Sequence, residues 1–167
     1  MSRILTPIGA ICLVAALQGA PAEARGQQGP LLKATDQPGQ PTGPAALRGV
    51  LAGLAGTWQG VYSYPDQGRD PVAFTMTLEV RGDTCRGRTE EPNTFGAPSV
   101  THLYANVECQ VVDGTLSPRL IFKKTYDGTG GQTHSVDYLG DLSPDRRSVT
   151  GTWRIGTQSG RFSLTKQ

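Results

Sequence analysis

Lys124 and His134 are the residues whose types and placement most invite chemistry. Lys124 shares its phase with Leu120, Phe122 and Tyr126, and His134 shares its phase with Val136 and Tyr138. In an extended strand alternate residues face the same way, so both ionisable groups fall on the apolar side. A group placed there raises the free energy unless it is paired or wetted. Joined by Tyr62, Tyr64, Tyr126 and Tyr138, the two would line an aromatic-walled cavity with a few polar tips, the usual make-up of a small-molecule site. Lys124 would then receive an anionic headgroup, and His134 would be the one inward base near neutral pH for a barrel enzyme. The competing arrangement puts both residues at strand ends, with their heads in solvent.

Other combinations of reactive types carry less. Glu90 and Glu91 precede Pro92, and a carboxylate here could counterbalance Lys124 or serve acid–base chemistry. Neighbours on a strand face opposite ways, so the pair cannot act on one atom, and a solvated strand end is the expectation. His134, Ser135 and Asp137 supply the residue types of a hydrolase triad, but alternation turns Ser135 and Asp137 away from His134 and no G-x-S-x-G elbow occurs. Arg81-Gly82-Asp83 reads as a tight hairpin turn. Gly128 to Gly131 lacks the following Lys-Ser/Thr and helix of a phosphate loop. With His102 and His134 as the only histidines, zinc lacks partners at close spacing. No metal, cofactor or catalytic residue is assigned.

All eleven aromatics lie after Gly56, and the 167 residues include 22 Gly and 12 Pro with a net charge of only +2. So small a charge excludes a dedicated nucleic-acid or polybasic membrane binder. The composition suits short strands and turns rather than long helices. From Gly56 onward apolar and polar residues alternate, broken by turn chemistry, which predicts eight strands over 57–64, 71–80, 84–90, 101–112, 119–126, 133–139, 148–155 and 161–165. No break has room for a crossover helix, so consecutive strands must pair antiparallel. The expected fold class is therefore all-β: an eight-stranded antiparallel up-and-down β-barrel over 56–167, whose closure removes both exposed edges. A two-sheet sandwich is the alternative. Ahead of it, 44–55 places Leu47, Val50, Leu51 and Leu54 at helical spacing behind Pro44. Residues 25–43, with four Gly, three Pro, four Gln and no aromatic, read as a flexible leader.

Two cysteines supply a register. If 84–90 pairs with 101–112 so that Cys85 faces Cys109, then Gly87 faces Val107 and Thr89 faces Ala105 on one side, while Arg86 faces Glu108 on the other. One register satisfies both thiols and charges, and it predicts a Cys85–Cys109 disulfide.

The segment Leu54-Ala55-Gly56-Thr57-Trp58, a G-x-W after a short helical turn, resembles the start of calycin barrels, the lipocalins and avidin-like proteins among them. The resemblance implies a barrel over 54–167 in which Trp58 plugs the closed end and a basic residue near the last strand, Arg161 or Lys166, packs on it. Strand count and length look more like avidin than a ten-stranded fatty-acid binder. The likeness does not extend to biotin, because avidin-like sites surround the ligand with several tryptophans and this chain has only Trp58 and Trp153.

Residues 1–24 read as a secretory signal: Ser2-Arg3, an apolar run over 4–17, and Ala22-Glu23-Ala24 before Arg25. That run is shorter than the roughly 20 residues a spanning helix needs. Cleavage near Ala24 would give a secreted or periplasmic protein with no stable membrane insertion. It would also remove Cys12 and leave two cysteines where disulfides persist. The expected function is non-catalytic binding of a small apolar or aromatic ligand. The alternative is an exported, inhibitor-like protein-binding module that uses the loop 91–99, with Phe95 at its tip.

Overall fold

The computed structural model describes residues 43–66 and 68–167. The expected signal segment 1–24 and the leader up to residue 42 lie outside the described residues. Pro44, whose fixed φ suits a first helical turn, opens α1 (Pro44–Ala52). The helix stops short of the expected residue 55 because the chain turns at Gly53, where Leu54 N bonds to Leu51 O.

Eight strands follow: β1 (Gly56–Ser63), β2 (Val72–Arg81), β3 (Thr84–Pro92), β4 (His102–Val112), β5 (Arg119–Tyr126), β6 (Ser135–Leu142), β7 (Ser148–Ile155) and β8 (Gln158–Lys166). Each pairs antiparallel with its neighbours in sequence, and β1 pairs with β8 to close the barrel. Closure excludes the sandwich. Eight strands enclose a space that side chains nearly fill, with room for at most a small ligand. The inward positions alternate as expected: Trp58 and Tyr62, Phe74, Met76 and Leu78, Leu120 and Phe122, Phe162 and Leu164 are all buried. Glycine makes room for the largest rings, since a Cβ on Gly60 would sit 2.3 Å from the Phe74 ring and one on Gly160 2.6 Å from the Trp153 indole.

Three strands differ from the expectation by two or more residues at an end. β3 runs on to Pro92, because a proline at the last residue of a strand sacrifices little of the ladder. β6 begins later, at Ser135, and continues to Leu142, whose N–H bonds to Pro118 O. β8 begins at Gln158, so Gly160 is a strand residue opposite Trp153 rather than part of a turn. The positive φ of Gly156 makes that connection tight.

The register of β3 on β4 is the one the cysteines and charges require: Cys85 opposite Cys109, Arg86 opposite Glu108, Gly87 opposite Val107 and Thr89 opposite Ala105. The Cys85–Cys109 disulfide is formed, with the Cα atoms 5.0 Å apart. On the outer face the same charge logic continues around the barrel, since Glu79, Arg86, Glu108, Lys123, Asp137 and Arg154 oppose one another in turn across β2 to β7.

One end of the barrel is stoppered. Trp58 is wholly buried there and donates its indole N–H to Leu54 O at 2.9 Å, under a lid made by Val50, Leu51 and Leu54. The Lys166 ammonium lies 5.8 Å above the Trp58 ring and donates to Gly53 O. Of the two basic residues the calycin resemblance offered, Lys166 does the packing. Arg161 is exposed instead, opposite Ser63 and Thr152 in the ladder.

Candidate functional site

The opposite end is open, and its loops are positioned by hydrogen bonds that the sequence supplies locally. Asn93 donates to Ala97 O at 2.8 Å and Val100 O at 2.9 Å, and it accepts from Gly96 N. Ala97 N reaches Gly130 O at 2.9 Å, which ties the loop after β3 to the turn after β5. That turn is fixed by Asp127, which accepts from the backbone N–H and hydroxyl of Thr129 and pairs with Arg88 at 2.9 Å. Those Thr129 bonds, with Arg88 adding to them, hold the Asp127 carboxyl below its ordinary range.

Between these loops a half-open cavity of about 150 Å³ descends into the barrel. Tyr62, Tyr64, Lys124, Tyr126, His134 and Tyr138 all line it, so the structure brings together all six residues singled out in the sequence. Phe95, Trp153, Ile155, Val136, Arg69 and Gln158 complete the wall. Trp153 is buried in β7 and has no role in the sequence expectation, which assigns Phe95 to an outward contact. Phe95 is 40% exposed, yet its ring stands edge-on to Tyr126 at 5.7 Å and lies 5.9 Å from His134, over the cavity mouth.

The floor is a buried polar network. Lys124 is 1% exposed and donates to Glu91 Oε2 at 2.7 Å; the other carboxylate oxygen accepts from the hydroxyls of Tyr126 and Tyr62. Lys124 therefore does not reach solvent at a strand end. Glu91 is the residue the sequence reading misplaced: it is 1% exposed, not solvated. The sequence expectation ends the strand at Glu90, ahead of Pro92. In fact the alternation through Cys85, Gly87 and Thr89 continues one step further, and counting by twos from Cys85 would have found Glu91. Ala105, opposite Thr89 on one side and Tyr126 on the other, is the small residue across which β5 and β3 meet.

Electrostatics follow from burial. Burial pushes the hydroxyls of Tyr62, Tyr126 and Tyr138 well above their ordinary range, and the Glu91 charge adds to each shift, so all three stay protonated. Burial pushes the Lys124 ammonium down while Glu91 opposes that shift. His134, half-buried at the mouth, is lowered first by burial and then by the Lys124 charge, with Glu91 partly opposing. It is neutral at physiological pH. Ser135 and Asp137 stand exposed on the outer face, where Ser135 bonds to Thr125 at 2.8 Å, and so they form no triad with His134.

No protein-family model matches the chain, and no curated protein matches its sequence. The fold and the cavity define a small closed antiparallel β-barrel with one open, aromatic-walled end, and any functional reading rests on that site. Among the described residues no helix is long and apolar enough to cross a membrane.

Proposed function

We propose that this barrel binds, without chemically changing it, a small flat apolar or aromatic ligand at its open end. The observation that carries the reading is the cavity itself. Its volume of about 150 Å³ is that of a space known to hold a single benzene ring, and its walls are the faces and edges of Tyr64, Tyr138, Trp153 and Phe95. Because Glu91 already neutralises Lys124, the pocket offers shape and ring surface rather than a free charge. The disulfide fits an oxidising compartment, and with the signal-like residues 1–24 it supports export. The closed meander with Trp58 under Lys166 supports kinship with calycin barrels.

The test uses Trp153, which borders the cavity and bonds to Ser63 O at 3.0 Å. Titration with ethylbenzene or acetophenone should change its emission saturably, whereas Ile155→Trp, which fills the cavity, should abolish the response to both. Absence of a saturable response to either compound would overturn the reading. A captured protein partner lost on Phe95→Ala, with no small-molecule response, would favour the inhibitor-like module of loop 91–99.

A further inference from the structure

The buried network has hydrogen-bonding capacity that its own residues leave unused. An ammonium carries three N–H groups, and among the described residues Glu91 is the one hydrogen-bond partner of Lys124 Nζ. The rest of its surroundings are rings, with centroids of Tyr126 at 4.6 Å, Tyr62 at 5.1 Å, Phe74 at 5.5 Å and Tyr138 at 5.9 Å. Three of those rings, and Lys124 itself, border the cavity. An ammonium donor paired on one side only, by Glu91, thus lies beside a ring-sized hole.

Charge decides which acceptor suits it. Glu91 matches Lys124, the three tyrosines are neutral hydroxyls and His134 is neutral, so the floor carries no net charge. At the rim Arg69 is exposed and already paired with Asp66 at 3.1 Å. An anion entering this space would give up its hydration and then meet the Glu91 carboxylate directly behind the ammonium. A neutral carbonyl or ether oxygen gives up far less and gains a charge-assisted hydrogen bond. Resting on the binding function proposed above, we propose that the ligand class is a neutral monocyclic arene bearing an acceptor oxygen, with its ring among the aromatic walls and its oxygen on Lys124 Nζ. This replaces the anionic headgroup expected from the sequence, an expectation that kept Glu91 at a solvated strand end rather than against Lys124.

The experiment compares three probes of similar size on the full chain at neutral pH: acetophenone, ethylbenzene and benzoate. Acetophenone should bind about tenfold or more tighter than ethylbenzene, the scale of a hydrogen bond to a charged donor, and tighter than benzoate. The carbonyl stretch of bound acetophenone should lie below its value in hydrocarbon solvent. In the double variant Glu91→Gln/Lys124→Met, which removes both charges together, the acetophenone-to-ethylbenzene ratio should fall to about one. Should that variant fail to fold, the carbonyl stretch in the unaltered protein still decides. Equal binding of acetophenone and ethylbenzene, or an unshifted stretch, overturns the ligand class and leaves the binding function standing. Tightest binding of benzoate overturns it in favour of an anion site. Failure of all three probes to bind overturns the binding function, and the ligand class with it.

Discussion

At the scale of single residues, the Glu91–Lys124 pair dominates the interior. Two charges taken out of water are tolerated because each is met: Lys124 by the carboxylate, and Glu91 by the ammonium and two tyrosine hydroxyls. Removing one partner leaves the other uncompensated. Lys124→Met, close to neutral for a solvated strand-end lysine, should instead destabilise by about 3–5 kcal/mol, and adding Glu91→Gln should recover much of that loss. Denaturant midpoints of the two variants check it, and equal stability of Lys124→Met and the unaltered protein would show that the pair does not constrain the core. His134 gives a second expectation, with a defined sign. Its folded-state value lies below the ordinary 6.5, so the unfolded chain binds the proton first as pH falls. The contribution is fully present above pH 6.5 and is lost as pH drops through the folded value. His134→Gln should flatten that part of the stability profile, measured as denaturation midpoint against pH.

At the scale of elements, β3 and β4 are joined twice, once by the disulfide inside and once by opposed charges outside. A slip by one residue would bury Arg86 and Glu108 and turn Cys85 and Cys109 outward, so the register is strongly specified. The bridge closes a span of 24 residues. In the chain-entropy model a loop of that size stabilises by about 3 kcal/mol. Cys85→Ala/Cys109→Ala should lower stability by that amount while preserving the far-UV circular dichroism, because the ladder between the strands does not depend on the sulfurs. Two reactive thiols found by titration of the native protein would contradict the bridge directly.

At the scale of the whole molecule, closure makes each strand depend on two neighbours. β1 joins β2 on one side and β8 on the other, so no strand can peel away without exposing an edge. The two tryptophans sit at opposite ends, Trp58 under the stopper and Trp153 at the cavity. Unfolding followed by their combined fluorescence should superimpose on unfolding followed by circular dichroism, as a single cooperative transition requires. Separate transitions would mean that the open end loosens before the stoppered end.

Alternation within a strand is a local property, so the sequence alone was enough to determine the eight strands, their inward residues other than Glu91, and the antiparallel order. The cysteine and charge pairs between Cys85 and Cys109 added the register of β3 on β4. The six cavity residues were legible for the same reason: Tyr62, Lys124, Tyr126 and Tyr138 share phase with apolar neighbours on their strands, and Tyr64 and His134 keep that phase one residue beyond the ends of β1 and β6. Only the tertiary structure decided what Lys124 does. Its partner Glu91 is 33 residues away on a strand not adjacent in the sheet, and the two meet across the barrel interior, a contact that no local period encodes. Closure of β1 on β8 was expected because it removes both edges, with a two-sheet sandwich as the alternative; the tertiary structure decided between the two, since closure depends on strand number and tilt around the ring. Phe95 was read as an outward tip because a loop aromatic has no phase. The hydrogen bonds of Asn93 and Gly130 fold its loop back over the mouth, and that packing places its ring against Tyr126 and His134.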